Sequence, residues 1–301
     1  MTSVAASIAW PVAWFADATI VAFLCVLGGN VGSFLNVVAH RAPRGVSVVR
    51  GGSRCPACGS RVRWHDNVPV LGWIVLGGRC RDCGSPIARR YPLVEAVGML
   101  IGAVVAIELL SGGRTWPAVR FGTGRVGADV LLMQPDWSLA LVCLSQAALL
   151  FVVLAWTLFE ADDAPVRPSW FGGACLGLGA LAVIGGGPTT PSGWPAVMEA
   201  ALGAGIAGLV GSAVGSRWLW QALVFTGVVL GWQGLVGAVA MMPIVAAVRI
   251  GVTAAAGGRF EPRPRCLDLL VAIGVWVLAW KWLAAISLVA WCMLGHDREG
   301  G

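Results

Sequence analysis

The chain has 301 residues, of which 57% are hydrophobic and 12% charged, with a net charge of +6 and a mean hydropathy of +0.79. Soluble domains carry about 25% charged residues, so the composition excludes an ordinary soluble enzyme and describes a chain that crosses the membrane several times. The positive balance reads as cytoplasmic-loop charge, and no nucleic-acid partner is needed to explain it.

A membrane span needs about 20 mostly apolar residues, because the hydrocarbon core is about 30 Å thick and a helix rises about 1.5 Å per residue. In chain order, spans are expected at Ala16–Val38, Pro92–Leu110, Leu139–Phe159, Trp170–Ile184, Ala196–Val214, Trp218–Trp232, Leu235–Val248 and Leu267–Met293. The expected fold class is all-α, a polytopic membrane helix bundle of about eight spans with a small cytoplasmic four-cysteine zinc-ribbon insert. The domains are then residues 1–40 (first span), 41–91 (ribbon) and 92–301 (the rest of the bundle). No basic n-region precedes the first span, so it is read as retained and not as a cleaved signal. Gly28, Gly29 and Gly32 in that span read as small residues for close helix packing.

The segment after the first span carries ten arginines between Arg41 and Arg90 and only two acids, Asp66 and Asp82. The positive-inside rule places it in the cytoplasm, together with Arg249, Arg259, Arg263 and Arg265. The loop with Arg114, Arg120 and Arg125 runs against that rule. Within the segment, Cys55-Pro-Ala-Cys58 and Cys80-Arg-Asp-Cys83 are separated by 21 residues, the pattern of a four-thiolate zinc ribbon. Gly59 and Gly84 follow the two turns, where a knuckle takes a positive φ. A reducing cytoplasm argues against disulfides, and four thiolates fill the zinc shell, so the metal is structural. Cys25, Cys143, Cys175, Cys266 and Cys292 lie in apolar spans and read as small hydrophobes. His65 and Asp66 are not needed as ligands and read as turn residues. Asn30, Asn36, Arg41 and Arg44 form a polar, cationic patch at the inner end of span one, suited to an anionic lipid headgroup or a carboxylate-bearing cofactor.

Glu160, Asp162 and Asp163 close the third expected span, and Pro165 and Pro168 end its helix. They read either as catalytic carboxylates or as a polar helix end with Arg167 for an ion-pair partner. Glu108, Glu199 and the single lysine, Lys281, fall in or near spans, where ionisable groups are costly. A structural ion pair is the first reading for these three and an active-site acid the second. No Ser/His/Asp set, P-loop or HExxH motif is present.

The stretches "GSFLNVVAHRAPRG" and "CPACGSRVRWHDNVPVLGWIVLGGRCRDCGSPIARRYPLVEAVGML" resemble the N-terminal half of the bacterial prepilin leader peptidase/N-methyltransferase family. The resemblance weakens through "QPDWSLALVCLSQAALLFVVLAWTLFEADD" and returns at "LGWQGL". It implies an inner-membrane protein with its ribbon facing the cytoplasm, acting on type IV prepilins or type II secretion pseudopilins beside pilus or secretion machinery and membrane lipid. It further implies leader cleavage by an aspartyl dyad, followed by N-terminal methylation from S-adenosylmethionine. Such a dyad needs one carboxyl ionised and one protonated. The family's first aspartate position falls on Ala161, between Glu160 and Asp162, when Pro168 is taken as the family's proline. Counted back from Leu230-Gly231-Trp232-Gln233, the Gly-x-Gly-Asp motif falls on Ser216–Leu219, with Leu219 at the aspartate, and no acid lies between Ala200 and Phe260. Three readings follow: a member with cleavage impaired or lost and methylation retained; an active peptidase whose second acid is Glu199 or Asp268; and a non-catalytic assembly factor that binds prepilins.

Overall fold

The computed structural model describes residues 2–111, 127, 137–164, 167–185, 194–214, 217–255 and 269–273. Among them the regular structure is helical: α1 (Thr2–Arg41), α2 (Leu71–Val75), α3 (Arg90–Leu110), α4 (Trp137–Ala161), α5 (Pro168–Gly185), α6 (Trp194–Val214) and α7 (Arg217–Ala255). Two isolated β-bridges, Arg54 with Arg61 and Arg79 with Pro86, lie between α1 and α3.

Three helices are long and apolar enough to cross a membrane: α1 from Trp14 onward, α3, and α4 from Leu139. Shorter apolar stretches run through α5 (Pro168–Ile184), α6 (Pro195–Leu209) and the second half of α7 (Leu235–Val248). Among the described residues, three of the expected spans therefore stand as helices of full length. Trp218–Trp232 and Leu235–Val248 both fall in α7, within which two helices meet at a kink at Gly231 (φ 66°, ψ −174°). That combination is open essentially to glycine alone. Of the last expected span only residues 269–273 are described, and Lys281 and Asp268 lie outside the described residues.

Glycines set the closest helix contacts. A Cβ on Gly98 of α3 would lie 2.3 Å from the Gly28 carbonyl oxygen of α1, and one on Gly102 would lie 2.0 Å from that of Leu24. The α1–α3 pair thus meets backbone to backbone, as small-residue packing in a membrane allows. Between α4 and α7 the seam is aromatic instead. Trp156 stands edge-on to Phe225 with centroids 4.7 Å apart, and its indole N–H donates to Gln221 Oε1 at 2.9 Å. Leu149, Val153, Leu219 and Leu223 fill the same core.

Chain ends follow local chemistry. The Ala164 N–H bonds the Phe159 carbonyl and the Asp163 N–H bonds that of Glu160, with Asp163 at φ 43°. This is a Schellman closure with an aspartate in the left-handed position usually held by glycine. Pro168 then opens α5 at its first turn, where a missing N–H costs nothing.

Candidate functional site

The two CxxC segments are copies of one local structure offset by 25 residues. In each, the first cysteine's N–H bonds the serine five residues on (Cys55 to Ser60 O, 2.9 Å; Cys80 to Ser85 O, 2.8 Å), and the following glycine's N–H returns to that cysteine's carbonyl at 2.9 Å. Gly59 and Gly84 take φ values of 73° and 70°, which a side chain would strain. The two turns face one another, and the four sulfurs of Cys55, Cys58, Cys80 and Cys83 lie within 4.8 Å of each other. Cys55 Sγ and Cys83 Sγ are 3.8 Å apart. A tetrahedron with Zn–S bonds of about 2.3 Å has S–S edges of about 3.8 Å, so the donor set fits a tetrahedral zinc ion and leaves no open coordination position.

Neighbouring groups already bias the thiols toward metal binding. The Ser60 hydroxyl, and after it the Ser60 amide, draws the Cys58 thiol down to about 6. Hydrogen bonds from the Cys83 and Asp82 amides lower Cys80. Although the Ser85 N–H favours its thiolate, Cys83 is pushed up to about 12 by Cys58, desolvation and the other two sulfurs. A bound dication stabilises all four thiolates together.

Asp66 braces this centre. Its side chain is only 5% exposed and accepts from Arg81, which lies between Cys80 and Cys83, through Nε at 2.8 Å and through a second nitrogen. The Arg81 guanidinium holds the Asp66 carboxyl below its usual range. Arg63 reaches Asp82 at 3.4 Å. The turn at Trp64–Asn67 is thereby strapped to the second knuckle. This gives Asp66 a bracing role beside the metal site, with no part as a ligand.

Between the ribbon and the ends of α1 and α3 lies a cavity of about 380 Å3, within the usual ~300–1,000 Å3 range of small-molecule sites. Asn36, Tyr91, Glu95, Asp66 and Trp73 are among its lining residues. Asn36 is buried; its Nδ2 donates weakly to the Gly32 and Tyr91 carbonyls at 3.5 and 3.4 Å, while Oδ1 has no hydrogen-bond partner among the described residues. Glu95 accepts the Val70 N–H at 2.7 Å. The polar patch expected at the end of span one divides here. Arg41 clasps the following loop through the carbonyls of Ser47, Arg50, Gly51 and Gly52, Arg44 bonds the His40 carbonyl, and Asn30 bonds the Val26 carbonyl of its own helix. Only Asn36 of the four lines the cavity. Glu95 could have been flagged from sequence, as a lone acid one turn into an apolar helix.

The carboxylates after α4 face arginines. Asp162 pairs with Arg90 at the start of α3, and Asp163 lies 3.5 Å from Arg217 at the start of α7. Arg167, the partner expected from sequence, lies over the Trp170 ring at 5.9 Å. Leu219 is 1% exposed, two residues along α7 from Arg217. Ala161, Arg217 and Leu219 therefore occupy one end of the bundle, the end that carries the ribbon. Glu199 does not reach that end. A Cβ on Gly231 would lie 2.3 Å from Glu199 Oε2, and Gly231 stands fourteen residues, about 21 Å, along α7 from Arg217. Glu108 is buried in the last turn of α3; its pairing with Lys281 lies outside the described residues.

Residues 26–109 match the family model of the bacterial peptidase A24 N-terminal domain. Over 79 residues the chain is 56% identical to a prepilin leader peptidase/N-methyltransferase of Myxococcus xanthus, covering 26% of this chain and 24% of that protein. It is 38% identical over 117 residues to one from Klebsiella pneumoniae (37% and 49%) and 35% identical over 146 residues to one from Pseudomonas aeruginosa (40% and 45%). The chain thus spans between a quarter and a half of the length of these relatives. No solved structure matches it. The family match encloses the four cysteines and the cavity and ends before Glu160.

Proposed function

We infer that the chain is, through residues 26–109, a member of the bacterial peptidase A24 N-terminal domain family, alongside the prepilin leader peptidase/N-methyltransferases it is similar to there. From that premise we propose a multi-pass inner-membrane protein that methylates type IV pilins or type II secretion pseudopilins and has lost leader cleavage. Its ribbon, residues 41–91, faces the cytoplasm, holds structural zinc, and docks on the helix bundle of residues 92–301.

The observation that carries the loss of cleavage is the pairing at the end of α4. An aspartyl dyad needs two carboxyls set against one another and sharing a proton. Here Asp162 faces Arg90, Asp163 faces Arg217, and the partner position holds the buried Leu219. Two ion pairs at a helix end, each at least about a third exposed, are structural contacts worth roughly 0–1 kcal/mol apiece. Asp162 and Asp163 are thus each engaged by an arginine and not set against one another as a dyad requires.

The cavity supports retained methyl transfer. A sulfonium donor is cationic, and a pilin amine arrives as an ammonium that gives up a proton before it attacks the methyl group; the orphaned Asn36 Oδ1 and the Glu95 carboxylate are acceptors suited to both. Tyr91 and Trp73 supply flat apolar walls of the kind an adenine ring occupies. S-adenosylmethionine, when bound, supplies an electrophilic methyl group. The residues of this chain orient the amine and exclude water, and the ribbon, clamped by zinc, closes the cavity over α1 and α3.

The test is to incubate the purified protein in nanodiscs with a full-length prepilin and follow leader loss by mass spectrometry. The proposal predicts none. Efficient leader loss that disappears in Asp162→Ala or Asp163→Ala would restore these residues to a working peptidase. If an already trimmed pilin were also left unmethylated, the assembly-factor reading would replace this one.

A further inference from the structure

The ribbon contains a short apolar loop-and-helix hairpin, Val68 to Leu76, that carries α2; it is held to the module by the Trp73 indole, which donates to Ile87 O at 3.1 Å, and it reaches beyond the module to the helices α1 and α3. Its tip descends along the membrane-facing helices. The Pro69 ring lies where a Cβ on Gly29 would touch it at 3.0 Å, beside Met99. Gly29 is twelve residues, about 18 Å, back along α1 from Arg41, and Met99 is nine residues, about 13 Å, into α3 from Arg90. Both helices are long and apolar enough to span a bilayer. A loop tip at that distance from the helix ends lies below the headgroup level, given a hydrocarbon core of about 30 Å.

The hairpin is built for such a place. Irregular backbone is tolerated at membrane depth only when its polar groups are satisfied within the protein. Gly72, Ile74, Leu76, Gly77 and Gly78 donate to the carbonyls of Val68, Val70, Gly72, Ile74 and Trp73. The N–H at the tip, Val70, has no such internal acceptor, and Glu95 of α3 takes it at 2.7 Å. Val70 sits at φ 63°, which is rare for a β-branched residue, and Glu95 holds the turn in that shape. The outward side chains are all apolar: Leu71 and Ile74 are 59% exposed and Val75 76%. Phe34 of α1 and Leu93 and Leu100 of α3 are likewise exposed and apolar. Arg79 follows the hairpin in sequence and is a cation of the kind that lipid phosphates attract.

We propose that residues 68–76 form a re-entrant wedge whose Leu71, Ile74 and Val75 side chains lie among the acyl chains of the cytoplasmic leaflet, pinned there by Glu95. The ribbon is then anchored in the bilayer as well as tethered to it, which fixes the floor of the cavity relative to the membrane plane.

The unmodified full-length protein tests this in liposomes containing a phospholipid with a diazirine on its acyl chain. After irradiation and trypsin digestion, residues 64–79, 45–50 and 91–114 leave as separate peptides. The wedge predicts lipid adducts on 64–79, mapped to 71–75, at a level within a few-fold of those on 91–114 from α3. It predicts none on 45–50, which carries the equally exposed Val49. An unlabelled 64–79 beside a labelled 91–114 overturns the proposal and leaves this face for a protein partner. Labelling of 45–50 equal to that of 64–79 also overturns it, because the whole ribbon would then be brushing the surface.

Discussion

Gly98→Ala should loosen the platform on which the ribbon sits. The new Cβ would stand 2.3 Å from the Gly28 carbonyl oxygen and 3.0 Å from its carbon. These are backbone atoms of a neighbouring helix and cannot turn aside as a flexible side chain would. Restoring ordinary contact of 3.4 Å requires α1 and α3 to part by about 1.1 Å, and overpacking of this kind costs about 1–3 kcal/mol. Alanine returns about 0.5–1 kcal/mol of helix propensity, a gain that Gly172→Ala in α5 receives alone, since nothing lies within 4 Å of its new Cβ. The difference between the two variants therefore isolates the packing cost. Parting the helices also stretches the bond from Asn36 Nδ2 to the Tyr91 carbonyl, already 3.4 Å long, so methyl transfer should fall with stability. Thermal unfolding in one detergent measures the first effect and turnover of a trimmed pilin the second. A Gly98→Ala protein as stable as Gly172→Ala would refute the backbone-contact account of the α1–α3 pair.

Cys80→Ser should release zinc, because the ion is held by all four thiolates together; undiminished zinc by elemental analysis contradicts the four-thiolate site. In the chelated protein, iodoacetamide at pH 7 should alkylate Cys58 well before Cys83, since the thiolate is the nucleophile. The Cys58 thiol at about 6 is mostly ionised there and the Cys83 thiol at about 12 is not. Ser60→Ala should move the onset of Cys58 alkylation to higher pH, and equal rates at both cysteines would count against the Ser60 contact. Asp163→Gly should stabilise the protein by up to about 1 kcal/mol, because glycine takes the left-handed helix end without a Cβ penalty. A loss of stability would show that the Arg217 pair outweighs the backbone strain.

How much of this could be read from the sequence depends on how local each signal is. The CxxC turns, their glycines and the helix stop at Asp163 are set by residues a few positions apart, and these lie where the sequence places them. Gly28 was legible as a small packing residue, although which helix it meets was not. The features that decide function join distant segments: Asn36 to Tyr91 across 55 residues, Asp163 to Arg217 across 54 and Arg90 to Asp162 across 72. No periodicity encodes such pairings. Arg167 was the obvious partner for the acids by proximity in sequence, but the Schellman turn aims the chain so that Arg90 and Arg217 arrive first. Val68–Leu76 reads as part of a soluble ribbon because a strongly basic segment surrounds it; the approach of Pro69 to Gly29 of α1 is what motivates the proposed depth. The division of Trp218–Val248 was hard to read for a related reason, since hydropathy alone does not mark the kink at Gly231 where two helices meet.

The most direct test is to offer the zinc-loaded protein, with S-adenosylmethionine, two substrates in parallel, a full-length prepilin and the same pilin already trimmed. Intact-mass analysis reads both reactions at once. The account predicts a trimmed pilin that gains one methyl group, lost in Asn36→Ala, and a prepilin that keeps its leader. A prepilin that emerges both trimmed and methylated would contradict it.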